Sequence, residues 1–474
     1  MSSGSNDSSS FINKKQIFDS LERNAKPSEA ELAAILTKAL LLKGLTIEET
    51  AALLNCRDMA ITEKLFAAAR TVKEKIYGNR LVFFAPLYLS NECINNCLYC
   101  AFRKDNDKLE RKTLTMDEIR RETTALEAQG HKRLLLVAGE HPKSANVDYV
   151  TEAIRTVYAT KNPKTNGEIR RVNINVAPLS VMDFRKLKEA GIGTYQLFQE
   201  TYHLETYEKM HPSGPKSDYN WRISVMDRAQ EAGIDDVGIG ALFGLFDYRF
   251  EVLALLQHAQ HLEEAWGVGP HTISVPRIEP AFNVPFTCSP PAPVSDFDFK
   301  RIIAILRLAV PYTGIILSTR ERADFRDEAF QLGISQISAG SRTDPGAYSK
   351  DRAAEKASAA QFSLGDHRSL AEVIRGISKN NFFPSFCTAC YRLGRTGKDF
   401  MVLAKPGFIQ NYCTPNCILT FKEYLIDYCS NPDDRANGEK LIEAELAKIT
   451  NENLKKEVME KLKEIEKGKR DLYF

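Results

Sequence analysis

The sequence predicts an α/β protein built on a complete (β/α)8 barrel, with a helical segment before the barrel and a mainly helical domain after it. Eight short runs rich in Val, Ile, Leu and Phe alternate with amphipathic stretches, as expected for strands buried on both faces of a parallel sheet. Several of the amphipathic stretches end in Gly, a common helix stop. The alternation ends near residue 350, where the barrel is therefore expected to be complete.

The predicted elements fall into four blocks. Residues 1–14 are polar and Ser-rich and are expected to form a disordered tail, followed by an N-terminal helical segment over residues 15–79. Thr46 and Glu49 fit a capping box at the start of one of these helices. The barrel is assigned to residues 80–350 and the C-terminal domain to residues 351–474. The eight predicted strands are residues 81–89, 133–138, 172–176, 194–198, 236–241, 271–277, 314–318 and 334–338.

The charge balance limits the classes of partner. Lys and Arg number 64 against 62 Asp and Glu, a net charge of +2, which argues against a nucleic acid or an anionic membrane as the main partner. No apolar run approaches the ~20 residues that a membrane span requires. The polar start lacks the features of a secretory signal or a transit peptide, so the sequence predicts a cytoplasmic protein.

Seven of the ten cysteines lie in two clusters, and tight clusters in a reducing compartment indicate metal ligands before disulfides. In the first cluster Cys93, Cys97 and Cys100 have the spacing C-x3-C-x2-C directly after the first predicted strand. Three thiolates can hold three irons of a [4Fe–4S] cluster and leave the fourth iron open for a ligand from outside the protein. The alternative is a structural zinc site with His131 or another residue as fourth ligand.

The spacing of this cluster and its position after strand one resemble the radical S-adenosylmethionine (SAM) superfamily. The resemblance implies that the open iron binds SAM, which is cleaved to methionine and a 5′-deoxyadenosyl radical. Tyr99 fits the aromatic position before the last cysteine, and Gly139-Glu140 after strand two correspond to the end of a Gly-Gly-Glu motif, in which Ala138 replaces one glycine. The residues that the resemblance and their strand-end positions predict as SAM contacts are Tyr99, Gly139, Glu140, Gln199 and Glu200.

The second cluster contains Cys387, Cys390 and Cys413, with the spacing C-x2-C-x22-C, and Cys417 follows after a three-residue gap. Taken alone, four such cysteines fit a structural zinc site. Beside an iron–sulfur enzyme they favour an auxiliary [4Fe–4S] cluster, which has an open iron if only the first three cysteines are ligands.

The two motifs together are similar to those of the radical SAM tyrosine lyases of [FeFe]-hydrogenase maturation. The thiamine-pathway tyrosine lyases share the barrel and a Ser-Thr-Arg-Glu signature but lack the C-terminal cluster. The closer resemblance implies cleavage of the Cα–Cβ bond of L-tyrosine to p-cresol and dehydroglycine. It further implies conversion of dehydroglycine to CO and cyanide at the auxiliary cluster, where a fifth iron carries L-cysteine and accepts both. The partners implied are a reductant protein such as a ferredoxin or flavodoxin and the other hydrogenase maturation proteins.

Two further roles follow from position and resemblance. Ser318, Thr319 and Arg320 end strand seven, and we expect Arg320 to bind the tyrosine carboxylate, with an ion pair to Glu279 or Glu321 as the alternative. His271 begins strand six at the opposite mouth of the barrel, where the family's histidine ligand of the fifth iron is expected; the alternative is a hydrogen-bonding histidine of the barrel floor. Cys417 is interpreted as a non-ligand.

This arrangement places two sites at opposite mouths, and the hypothesis that follows is a protected channel for dehydroglycine through the barrel. Two other functions stay open from the residues. One is a thiamine-type tyrosine lyase with a structural zinc tail, and the other is a non-catalytic scaffold that carries preassembled clusters.

Overall fold

The computed structural model describes residues 11–350 and 356–474, and within them the predicted barrel is present. Seven parallel strands follow one another from β2 to β8, and β1, the eighth, closes the barrel by pairing with both β8 and β2. Each of the eight predicted runs contains one strand, so the fold prediction is confirmed. The strands are β1 (Arg80–Ser90), β2 (Arg133–Ala138), β3 (Arg171–Asn175), β4 (Tyr195–Gln196), β5 (Val237–Gly240), β6 (Thr272–Ser274), β7 (Gly314–Leu317) and β8 (Gln336–Ser338).

Strand β4 is shorter than its predicted run, yet the chain after it stays hydrogen-bonded to β5. The backbone N–H of Leu197 donates to Gly238 O at 2.9 Å, and that of Gln199 donates to Gly240 O at 2.9 Å. These bonds carry the chain to the C-terminal mouth of the barrel, which we call the upper mouth.

The helices before and around the barrel have the expected caps. Ser28 with Glu31 and Thr46 with Glu49 form capping boxes, the second of them as predicted. Residues 1–10 of the predicted tail lie outside the described residues, and Phe11 stacks on His261 with ring centroids 3.9 Å apart. The helices are α1 (Lys14–Arg23), α2 (Glu29–Ala39), α3 (Ile47–Asn55), α4 (Met59–Tyr77), α5 (Met116–Glu127), α6 (Val147–Ala159), α7 (Val181–Glu189), α8 (Leu204–Met210), α9 (Tyr219–Ile223), α10 (Val225–Glu231), α11 (Tyr248–Trp266), α12 (Asp296–Ala309) and α13 (Ala323–Ala329).

The C-terminal region adds a ninth strand that the sequence analysis did not predict. Strand β9 (Phe383–Ser385) pairs in parallel with the first residues of β1, from Arg80 opposite Phe383 to Val82 opposite Ser385. The remaining elements are helical, as expected. They are α14 (Leu370–Lys379), α15 (Ala389–Arg392), α16 (Gly397–Ala404), α17 (Gln410–Asp427), α18 (Pro432–Ala447) and α19 (Glu452–Glu466), and the 3-10 helices of the chain are Pro215–Ser217, Pro285–Cys288, Phe330–Leu332 and Ala357–Ala359.

Strand β1 therefore connects the regions that carry the two cysteine motifs. Ser385, two residues before Cys387, pairs with Val82 near the lower end of β1, whereas Cys93 follows Ser90 at the upper end. The eight residue steps from Val82 to Ser90 span roughly 26 Å at ~3.3 Å per residue. In the described part of the chain, no helix is long and apolar enough to cross a membrane.

Candidate active site and candidate metal centres

A cavity of about 200 Å³ lies at the upper mouth, where active sites of such barrels are found. It brings together ten of the residues predicted for the SAM cluster, SAM and tyrosine. These ten are Cys93, Cys97, Cys100, Tyr99, Gly139, Glu140, Glu200, Ser318, Thr319 and Arg320.

The loop of residues 91–100, called here the upper cysteine loop, packs directly on the end of β2. The backbone N–H of Ile94 donates to Glu140 O at 2.9 Å, and that of Gly139 donates to Ser90 O at 2.9 Å. A Cβ atom at Gly139 would lie 2.3 Å from Glu92 O, far inside van der Waals contact. Position 139 thus requires glycine because the loop approaches its backbone closely.

The three upper thiols fit a [4Fe–4S] cluster that leaves one iron open. Burial raises the pKa of Cys97 to about 12 and also raises the pKa of Cys100, so these thiols need a metal to offset the cost of ionising inside the protein. Among the described residues, no three His, Cys, Asp or Glu side chains are arranged to hold one metal ion. An iron–sulfur cluster does not require that arrangement, because each thiolate binds a different iron.

His131, the proposed fourth ligand of a zinc alternative, does not belong to this site. It is fully buried and directly precedes β2, at the lower end of the barrel. The upper cysteine loop follows the upper end of the neighbouring strand β1, so the length of β2 separates the two.

Glu200 presents its carboxylate to the cavity from a left-handed backbone conformation, with φ of 72°. One Glu200 oxygen lies 2.7 Å from Lys216 Nζ and 3.3 Å from an Arg222 guanidinium nitrogen. Burial alone would raise the pKa of Glu200, but the charges of Lys216 and Arg222 outweigh it and hold the pKa below its usual value. Glu200 is therefore a buried anion able to accept hydrogen bonds from a hydroxyl-bearing ligand.

The strained turn at Glu200 is stabilised by hydrogen bonds from the next two residues to Glu251. A non-glycine residue in this region costs about 1–3 kcal/mol and persists only where its surroundings enforce it. The Thr201 hydroxyl donates a hydrogen bond to the Glu251 carboxyl group. The backbone N–H of Tyr202 donates to the same group at 2.9 Å. Glu251 is fully buried and belongs to α11, so the helix layer fixes the conformation of the strand end.

Gln199, also predicted as a SAM contact, does not line the cavity. Its side-chain nitrogen is buried and has no hydrogen-bond partner among the described residues. Of the two neighbours only Glu200, which has the left-handed backbone conformation, lines the cavity, and nothing in the sequence indicates that conformation.

The orientation of Tyr99 is fixed by His211. The Tyr99 hydroxyl lies 2.7 Å from His211 Nε2, and His211 Nδ1 lies 2.8 Å from Tyr207 O. Since a carbonyl oxygen only accepts, Nδ1 carries the proton and Nε2 accepts from Tyr99. The Tyr99 ring is thereby held as one wall of the upper cavity.

Arg320 offers a cation that is not paired with a carboxylate. Its guanidinium carbon lies 3.4 Å from the ring centroid of Phe362, and the described residues form no ion pair with it. Of the two expected alternatives, Glu321 pairs instead with Arg277, and Glu279 forms no bond to Arg320. Burial raises the pKa of Glu279 to about 7, so that carboxyl group is a weak counter-charge.

Several cavity residues were not singled out from the sequence. Asn95, Lys216 and Arg222 are single polar residues without a motif, and their roles depend on contacts distant in sequence. Gln361 and Phe362 lie in the segment assigned to the C-terminal domain, although they cover the upper cavity.

A second, smaller cavity of about 70 Å³ lies at the lower mouth. It is lined by Cys387, Cys390, Cys413 and His271, as the predicted auxiliary site requires. His271 is 9% exposed, its Nε2 lies 3.3 Å from the Tyr391 hydroxyl, and its Nδ1 lies 3.6 Å from Asp236 Oδ1, too far for a hydrogen bond. The buried imidazole thus lines the same cavity as the thiols, with Nδ1 facing a carboxylate.

Positive charge surrounds this lower cavity. The Nε atoms of Arg133 and Arg395, which line it, are buried and have no hydrogen-bond partner in the described chain. Arg133 and Arg171 also pack on the Tyr391 ring, with guanidinium carbons 5.7 and 3.4 Å from its centroid. Three thiolates around an iron–sulfur cluster carry net negative charge, and these unused donors suit such an occupant.

Cys417 does not line the cavity that the other three cysteines of its cluster share. It is 2% exposed, sits one turn after Cys413 in α17, belongs to the hydrophobic core and does not line the lower cavity. These contacts support its interpretation as a non-ligand.

A polar layer inside the barrel lies between the two cavities. Gln196 lines the upper cavity and its amide donates to Thr272, the neighbour of His271, at 3.4 Å, while Gln336 lines the lower cavity. A Cβ atom at Gly238 would lie 2.4 Å from Thr272 Oγ1, and one at Gly314 would lie 2.6 Å from Gln336 Nε2. Glycine at these positions leaves room for the polar side chains in the barrel centre.

Comparison with known proteins identifies the relatives of this chain. The Radical SAM superfamily profile matches residues 87–258, and that of the Biotin and Thiamin Synthesis associated domain matches residues 274–382. 2-Iminoacetate synthase of Escherichia coli is 32% identical over 367 residues, covering 77% of this chain and 93% of the relative.

Two solved structures match nearly the whole chain. A crystal structure of HydG, a maturase of the [FeFe]-hydrogenase, is 52% identical with a TM-score of 0.94, covering 98% of this chain and 100% of that one. The structure of HydG from Carboxydothermus hydrogenoformans is 42% identical with a TM-score of 0.82, covering 95% of this chain and 97% of that one. The similarity to these maturases thus includes the C-terminal region that carries the second cysteine cluster.

Proposed function

Because the chain belongs to the HydG family of [FeFe]-hydrogenase maturases, which carry a radical SAM domain, we propose that it is a radical SAM tyrosine lyase. It would cleave the Cα–Cβ bond of L-tyrosine to p-cresol and dehydroglycine and convert dehydroglycine to CO and cyanide. The product would be an iron–carbonyl–cyanide–cysteine unit for assembly of the hydrogenase cofactor.

One observation carries this proposal: two cavities at opposite mouths of one barrel each contain three cysteine thiols. Three thiols per cavity leave one iron of each cluster open. An open iron at both ends is expected of an enzyme with two reaction sites, whereas a site that only relays electrons needs four ligands.

In the upper cavity, Cys93, Cys97 and Cys100 would hold the first [4Fe–4S] cluster. With SAM bound, that cluster would supply the radical that starts the reaction. Glu200 would accept hydrogen bonds from the ribose hydroxyls, and Glu140, held by Asn95 Nδ2 at 2.6 Å, would face the amino group of SAM. Tyr99, Gly139 and Thr319 would complete the walls around SAM.

Arg320 would bind the tyrosine carboxylate in bidentate fashion, beside Ser318. Its support is the guanidinium group without an ion pair that faces the cavity, at a strand end beside the cluster loop. Correct orientation matters because the radical must reach one hydrogen atom and not its neighbours.

In the lower cavity, Cys387, Cys390 and Cys413 would hold the auxiliary cluster, and His271 would bind a fifth iron that also carries L-cysteine. That iron would supply the coordination sites for CO and cyanide. The His271 imidazole, whose Nδ1 faces Asp236, and the Nε groups of Arg133 and Arg395 without hydrogen-bond partners support a charged, metal-containing occupant of this cavity.

The polar layer around Gln196, Thr272 and Gln336 supports passage of dehydroglycine through the barrel rather than release into water. Partners would include a one-electron donor protein such as a ferredoxin or flavodoxin and the other hydrogenase maturation proteins.

The test is anaerobic reconstitution followed by metal and product analysis. The proposal expects roughly eight or nine irons per chain, together with 5′-deoxyadenosine and p-cresol from SAM and tyrosine. About four irons plus zinc, with p-cresol still formed, would instead indicate a thiamine-type lyase with a zinc tail. Iron without SAM cleavage would indicate a cluster scaffold.

A further inference from the structure

Residues 358–366, called here the upper strap, cross the upper mouth and are hydrogen-bonded to both sides of it. On one side the backbone N–H of Glu110 donates to Ser358 O at 2.7 Å. On the other side the N–H of Ser363 donates to Pro280 O at 2.8 Å, and that of Gly365 to Thr319 O at 3.0 Å. The strap is thus held to the loops that surround the cavity.

Gln361 is the residue of the strap that reaches the cluster-binding thiols. Its side-chain Nε2 donates to Cys100 Sγ at 3.8 Å, and its Oε1 accepts from the Tyr88 hydroxyl at 2.7 Å. Its backbone oxygen accepts from the N–H of Ala101 at 3.3 Å, and its backbone N–H donates to Thr343 O at 3.2 Å. Each of its four polar groups is used, so the orientation of the amide is fixed with the nitrogen towards sulfur.

The next residue of the strap meets the proposed substrate arginine. Phe362 lies under the Arg320 guanidinium, and a Cβ atom at Gly365 would lie 2.5 Å from Arg320 O. The strap therefore contacts both the thiol of Cys100 and the residue that would hold tyrosine. The hydrogen bonds of the strap to the loops on both sides of the upper mouth fix its position.

We propose that Gln361 is a positioning residue that tunes the upper cluster by donating its amide N–H to the Cys100 thiolate. This rests on the proposed function, in which that thiolate holds the SAM-binding [4Fe–4S] cluster. A hydrogen bond to a cluster sulfur stabilises the more negative, reduced form and raises the reduction potential. Gln361 thereby makes the cluster easier to reduce by the one-electron donor.

The experiment compares the wild-type holoenzyme with Gln361→Glu and Gln361→Met, using the EPR signal that responds to SAM and so reports the upper cluster alone. Glutamate keeps the size and the acceptor for Tyr88 but replaces the donor nitrogen by oxygen, and methionine keeps the length without charge. Both variants are expected to retain wild-type iron content and to shift the midpoint potential to more negative values. Ser358→Ala, which removes the 2.8 Å bond from the strap to Glu110, is the control and should leave the potential unchanged.

Unchanged midpoint potentials in Gln361→Glu and Gln361→Met would overturn the inference, even if both variants bind SAM. Loss of the upper cluster in both variants would also overturn it, because Gln361 would then only hold the strap in place. A wild-type protein without any SAM-responsive cluster would instead refute the proposed function itself.

Discussion

Replacing Gly139 by alanine adds one methyl group where β2 meets the upper cysteine loop. The backbone of Gly139 has an ordinary φ, so the effect is steric and not conformational. The new Cβ would lie 2.3 Å from Glu92 O and 3.2 Å from Cys93 Cβ, and contacts under 3.0 Å are essentially never seen. The loop must therefore move by about 0.7 Å or more, a displacement that overpacking studies associate with a cost of ~1–3 kcal/mol.

We expect Gly139→Ala to lose the upper cluster while the lower one remains, because only the loop with Cys93 is displaced. Iron should fall from roughly eight or nine per chain to about four or five, with loss of the SAM-responsive EPR signal. The control is Gly376→Ala in α14, where the nearest atom is 3.6 Å from the added Cβ. That change should stabilise the folded chain by ~0.5–1 kcal/mol, since alanine has a higher helix propensity than glycine. Full iron content and wild-type SAM binding in Gly139→Ala would refute the reasoning.

Three further predictions concern single side chains. Arg320→Lys should lose the bidentate bond to the tyrosine carboxylate, worth ~1.5–3 kcal/mol, and raise the tyrosine KM roughly ten- to hundredfold, whereas unchanged affinity would contradict the assignment. His271→Ala should lose one iron per chain but still form p-cresol. Retention of that iron would count against His271 as its ligand. Burial raises the pKa of Glu251 to about 8, so the folded protein keeps a proton that the unfolded chain releases near pH 4.5, and stability should fall as pH rises between these values. The glutamine side chain of Glu251→Gln cannot ionise, so this variant should lose that pH dependence, which amounts to up to ~1.4 kcal/mol of unfolding free energy per pH unit. Thermal unfolding of both proteins across this pH range is the measurement. Equal pH dependence in the two proteins would show that Glu251 is not the cause.

The barrel and the cysteine motifs could be predicted because their signals are local in sequence. Each strand is a continuous apolar run, and each set of candidate cysteine ligands is defined by its spacing. Strand β9 has only three residues, one of them a proline, and forms because β1 extends below β2 and offers it an edge. No periodicity within Phe383–Ser385 could indicate that pairing.

Inside the site, too, local signals could be predicted from the sequence and contacts between distant residues could not. Glu200 was found from its place at a strand end, but its counter-charges Lys216 and Arg222 follow in later loops and helices. Gln361 carries no motif, since its role depends on Cys100 and Tyr88, more than 250 positions away. Folding brings these groups together, and a single sequence taken alone does not show such pairings.

The pairing of β9 with the lower end of β1 has a consequence for the distance between the two candidate metal centres. One continuous strand carries the first cysteine loop at its end and fixes, through its ladder to Ser385, where the second loop begins. A one-residue change in that register would shift the start of the second loop by ~3.3 Å along β1 and turn the side chains of β9 to the opposite face. The separation between the two cavities is thus built into a single stretch of backbone, so an insertion within β1 would disturb both cavities at once.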